Sequence, residues 1–143
     1  MDVIREVELE APLADVWELL TDDDELSAWL GDAATFDPQP GGAGTFEEDG
    51  RLRRAVVEEV DTGRRLAFRW WLDGDEESAS RVAFTLTETD DGTRLTVTET
   101  FEAEASARDR SNAAAVAWAS RLLGLEWRCI DAPAPALVVV ARG

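Results

Sequence analysis

At 143 residues, 45% of them apolar, the chain is long enough for one domain with a full core and too apolar for a disordered acidic tail. Its net charge of −17, with arginine as the sole basic residue type, argues against nucleic acid and anionic membrane as partners. The absence of His and Tyr excludes Ser-His and Cys-His nucleophile pairs and removes the commonest metal ligand.

Residues 2–10 alternate, with Val3, Arg5, Val7 and Leu9 on one side and Glu6, Glu8 and Glu10 on the other, which predicts a half-buried strand. Pro12 suits the first turn of a helix striped by Val16, Trp17, Leu19 and Leu20. Thr21 with Asp24 reads as a capping box for a second short helix, lined by Leu26, Trp29 and Leu30 and closed by Gly31. Pro38, Pro40, Gly41 and Gly42 then mark a turn between short strands around Phe36 and Phe46.

A strand over about Arg53 to Val60 follows Gly50. Leu66, Phe68, Trp70 and Leu72 share one face of the next. The segment DGDEESAS reads as an acidic, mobile loop. Val82, Phe84 and Leu86 face the core from the sixth strand, and Asp91-Gly92 signals a hairpin. On the seventh, Leu95, Val97, Glu99 and Phe101 share one face, and Thr96, Thr98 and Thr100 the other. Ser106 with Asp109 suits the start of a long helix over about 107–127, in which Ala115, Trp118, Leu122 and Leu125 fall at helical spacing. Residues 1–130 therefore read as one α+β domain. Residues 131–143 read as an apolar tail: Pro133 and Pro135 forbid helix, and Leu137 to Val140 suit a strand on a sheet edge of this chain or of a second copy.

The wording of the chain also resembles a known family. VWELLTDDDELSAWLG, FDPQPGGAGTFE, VEEVDTGRRLAFRW, SRVAFTLTETDDGTRLTVTETF and AWASRLL, in that order, resemble bacterial proteins similar to the C-terminal domain of the activator of the Hsp90 ATPase. These belong to the START-like, polyketide-cyclase-like superfamily, and the resemblance covers about residues 4–127. It implies the helix-grip fold: a seven-stranded curved antiparallel sheet wrapped around a long C-terminal helix, with two short helices after the first strand and an apolar pocket between sheet and helix. The superfamily holds lipid carriers, hormone receptors, cyclases and chaperone cofactors, so the fold alone does not settle function.

Glu99 is the sharpest candidate, because an inward lone carboxylate between Val97 and Phe101 is costly to bury. One reading makes it a pocket acid that binds a polar ligand group or moves a proton; the resembling proteins often carry a polar residue there. The other makes it structural, opening to water or neutralised by Arg5 on the adjacent first strand. Phe68, Trp70, Phe84, Leu86, Val97, Phe101, Trp118 and Leu122 are the expected pocket lining, with Glu99 orienting the ligand. The acidic runs Asp22 to Glu25 and Asp73 to Glu77 fit helix-start preference and a solvated loop, so no metal and no cofactor is expected. Cys129 has no cysteine to pair with, and no apolar run of membrane-spanning length or signal peptide is visible, which points to the cytoplasm. Three functions remain, in this order: a binding protein for a small apolar or aromatic ligand, a chaperone-cofactor or other interaction protein, and a cyclase- or dehydratase-like enzyme using Glu99. A homodimer remains open for each.

Overall fold

The computed structural model describes residues 2–102 and 107–130, with the side chains of 107–109, 128 and 130 excepted. Strand β1 (Asp2–Leu9) leads into α1 (Leu13–Thr21) and α2 (Asp23–Trp29). Six strands follow: β2 (Ala33–Phe36), β3 (Ala43–Glu48), β4 (Arg51–Asp61), β5 (Arg65–Leu72), β6 (Asp75–Thr89) and β7 (Gly92–Phe101). Helix α3 (Ala107–Ile130) ends the described chain. The strands form one seven-stranded antiparallel sheet in the order β1-β7-β6-β5-β4-β3-β2. Register shifts at Val57/Glu59 and Trp70/Leu72 interrupt the ladders, and such bulges bend a sheet. The curved sheet and the long helix make the helix-grip architecture that the family resemblance implies. Among the described residues, no helix is long and apolar enough to cross a membrane.

The concave side of the sheet carries the core. Val82, Phe84, Leu95 and Val97 alternate inward on β6 and β7, and Trp118, Leu122 and Leu125 meet them from α3. Aromatic rings link the layers: Phe46, Phe68 and Trp70 touch in turn, and Trp70 stacks on Trp118 with centroids 6.0 Å apart and planes at 22°. Helices α1 and α2 close one end of the sheet. Trp29 is buried there, and its Nε1 donates to the Leu19 carbonyl at 2.8 Å, tying the two helices together.

Two local details differ from the sequence expectations, and a third, the β6–β7 hairpin, holds with its glycine required for closeness. The cap of α2 is Asp22, which accepts from the Glu25 N–H; Thr21 is the last residue of α1 and its hydroxyl donates to the Trp17 carbonyl. The acidic segment after β5 is no loop. Leu72 pairs with Asp75 across a tight turn at Asp73-Gly74, and β6 runs for 15 residues because Ser78 and Ser80 continue the alternation that the acids disguise. Gly92 does stand at the β6–β7 hairpin, but its φ is not positive: a Cβ there would lie 2.0 Å from the Leu9 carbonyl oxygen, so close approach of β1 is what demands glycine. Ser106, proposed to cap α3, and the tail from Asp131 onward lie outside the described residues, as does the side chain of Asp109.

Candidate functional site

Where the N-terminal half of α3 passes over β3, β4, β5 and β7, the layers part and leave a cleft of about 490 Å³. The reason lies in the helix sequence. Ala113, Ala114 and Ala117 face the sheet at a position where the next turns place Trp118, Leu122 and Leu125, so the helix fills the core at its C-terminal end and not at its N-terminal end. Trp70, Leu72 and Phe101 supply the opposite wall.

Glu99 forms the floor. It is 3% exposed, and both of its oxygens accept hydrogen bonds: Oε2 from Trp70 Nε1 at 3.0 Å and from Ser80 Oγ at 2.5 Å, Oε1 from Trp118 Nε1 at 2.8 Å. The expected Arg5 contact is absent. Val3, not Arg5, stands opposite Glu99 in the β1–β7 ladder, and Arg5 is exposed. Val3 and Arg5 lie two residues apart on one face of β1, so alternation alone could not tell which of them stands opposite Glu99.

Two cations, one from β4 and one from α3, lie against the indoles that bond Glu99. Arg53 lies with its Cζ 4.6 Å from the Trp70 ring centroid, and Arg121 with its Cζ 5.4 Å from the same ring and 4.8 Å from that of Trp118. Arg121 is 8% exposed and grips Glu48 through two nitrogens, at 2.6 and 3.3 Å. Arg110 stacks over Phe101 and donates to the carbonyls of Glu77, Ser78 and Ala79. Burial, and then the charge of Arg121, lower the Arg53 pKa; Glu99 and Glu48 offset part of this.

The family model of activator of Hsp90 ATPase homolog 1-like protein matches residues 10–126 of the chain. The chain belongs to that family. Among solved structures, protein MLL2253 from Mesorhizobium loti superposes with a TM-score of 0.83 at 25% identity, over 94% of this chain and 100% of that one. DynU16, a putative protein in the dynemicin biosynthetic locus, gives a TM-score of 0.74 at 25% identity over 87% of this chain, which spans 45% of DynU16. The Aha1 dimer from Colwellia psychrerythraea shares the fold alone, with a TM-score of 0.79 at 18% identity over 90% of this chain and 96% of that one. None of the curated proteins compared with this chain matches it.

The residues expected to line a pocket divide into two sets. Trp70, Glu99 and Phe101 border the cleft. Phe68, Phe84, Leu86, Val97, Trp118 and Leu122 are buried in the packed core, and of these Trp118 reaches the cleft floor through its bond to Glu99. Sequence reasoning missed the polar part of the wall: Arg53, Arg121, Arg110 and Glu48. A signal for it exists. Arg53 stands at the inward period-2 positions with Ala55 and Val57, and Arg110, Ala113, Ala114, Ala117 and Arg121 fall at helical spacing on α3.

Cys129 packs against the core, and its thiol pKa is pushed up to about 11 by burial first and by Glu126 and Asp15 next. The folded pKa lies above the ordinary value of 9.0, so the protonated thiol contributes stability that is fully present below about pH 9 and is lost as pH rises through about 11. Iodoacetamide at pH 8 is accordingly expected to modify Cys129 far more slowly in the folded protein than in urea. Equal rates would show the thiol to be open to solvent.

Proposed function

We propose that this protein binds a small, largely apolar or aromatic molecule in the cleft between the sheet and the N-terminal half of α3. The observation that carries this reading is the cleft itself, held open by Ala113, Ala114 and Ala117 across from Trp70 and Phe101. A volume of about 490 Å³ falls in the range of small-molecule sites, and Trp70, Leu72, Phe101 and the alanines of α3 give it an apolar and aromatic wall beside its charged groups. The Glu99 carboxylate has the place of an orienting group, while its bonds to Trp70, Ser80 and Trp118 hold it in one geometry. Those same bonds favour a binding role over proton transfer, since moving a proton onto Glu99 would disturb donors already engaged.

Titration with N-phenyl-1-naphthylamine, a neutral apolar fluorophore, tests the reading. Wild-type protein is expected to bind it with a rise in emission. Ala117→Phe places a ring in the cleft and is expected to remove that binding while leaving the melting temperature unchanged or higher. Retained binding in Ala117→Phe would place the ligand elsewhere.

A further inference from the structure

The cleft gathers cations in a chain that is otherwise strongly acidic. Four arginines, Arg51, Arg53, Arg110 and Arg121, line it against three acids, Glu48, Asp49 and Glu99, whereas the whole chain carries a net −17. Two of the four are already committed: Arg121 to Glu48, and Arg110 to three backbone carbonyls. Glu99 spends its acceptors on Trp70, Ser80 and Trp118.

Arg53 stands differently. Its guanidinium is half-buried against the Trp70 face, yet among the described residues it forms no ion pair and no hydrogen bond. Arg51, two residues away on the same face of β4, is exposed at the cleft rim and is likewise unpaired among the described residues. A guanidinium offers five N–H donors in a planar fork that matches an oxyanion. Here that fork is partly stripped of water, lies over an indole and adjoins a second guanidinium, Arg121, whose charge disfavours it. An anion in the cleft would relieve both costs at once. A purely apolar ligand would relieve neither.

Building on the cleft as the ligand site, we propose that its ligand is an organic anion: an aromatic or apolar body lying along Trp70, Phe101 and the alanines of α3, with one oxyanion group held by Arg53 and Arg51. A single negative charge suits the site, because Glu99 on the floor repels a second. Carboxylate and sulfonate share this chemistry, and planar two-oxygen pairing with the guanidinium favours carboxylate.

A matched pair of probes tests this. 8-Anilinonaphthalene-1-sulfonate and N-phenyl-1-naphthylamine share a ring system and differ by the sulfonate. The sulfonate probe is expected to bind more tightly, and its advantage is expected to shrink with added NaCl. Arg53→Gln is expected to weaken the sulfonate probe by about tenfold or more and to leave the neutral probe within about twofold. Arg51→Gln, at an exposed position that does not threaten folding, is expected to act in the same direction. Ala117→Phe is expected to remove both probes. 1-Naphthoate is expected to displace the sulfonate probe at lower concentration than 1-naphthalenesulfonate; the reverse order would overturn the preference for carboxylate. If both probes bind equally, or both arginine variants leave the sulfonate probe unaffected, the anion assignment fails while the cleft remains the binding site. If the sulfonate probe keeps its advantage in Ala117→Phe, the anion is held elsewhere and the assignment fails too. If neither probe responds to Ala117→Phe, the cleft reading itself fails.

Discussion

Trp118→Ala is expected to destabilise the protein by about 3–5 kcal/mol, the cost of deleting a large aromatic from a packed interior. Trp118 is 0% exposed, stacks on Trp70 and meets Phe84 edge-on at 5.8 Å. Its indole N–H also closes the hydrogen bonding of Glu99, so the truncation leaves a buried oxygen short of a donor as well as a cavity. Because Trp118 lies behind the cleft, stability is expected to fall much more than probe binding does. Urea denaturation beside fluorophore titration separates the two. A loss under about 1 kcal/mol would mean that the site collapses around the missing ring or that the core is looser than the contacts imply.

Glu99→Gln is expected to cost about 2–4 kcal/mol, although it barely changes the volume. One carboxylate oxygen becomes an N–H₂ group facing an indole donor, so either the Trp118 or the Trp70 bond must break, while the Ser80 hydroxyl can turn to accept. The charge that offsets the burial of Arg53 is lost at the same time. Ser80→Ala removes one donor and leaves the carboxylate, so about 1 kcal/mol is expected there. A double-mutant cycle on the two measures their coupling. Unchanged or higher stability of Glu99→Gln would return Glu99 to the role of an unconstrained cleft acid.

Much of this architecture is legible from alternation alone. Leu95, Val97 and Glu99 on β7 face inward as their spacing requires, and Trp118, Leu122 and Leu125 reach the sheet from α3. What could not be read is where charged residues break the apolar rhythm. The acids of β6 looked like a loop because composition does not reveal that Leu72 pairs with Asp75. Arg53 and Arg121 break that rhythm: each occupies an inward position and lays its guanidinium on an indole. Inward arginines are rare enough that periodicity is normally read through apolar residues only. In this chain that habit finds the core and misses the cleft. The partner of Glu99 failed for a related reason: spacing identifies Arg5 as a neighbour of Val3 and Val7, but the pairing of Val3 with Glu99 fixes which side chain stands opposite.

Among the described residues the sheet order leaves β1 at one border of the sheet, and that border bears on how the protein behaves when crowded. An open strand offers its backbone to any other extended chain, and a second copy is the nearest candidate. Along β1 and its extension, Asp2, Glu6, Glu8 and Glu10 are exposed, and Arg94 of the neighbouring strand neutralises only part of them through Glu6 and Glu8. Two such borders brought side by side in antiparallel fashion would set rows of carboxylates against each other. The acidity of the strand thus works as a guard against sheet-to-sheet growth. Replacing those acids by neutral residues would remove the guard while leaving the exposed Ile4 and the strand backbone ready to pair.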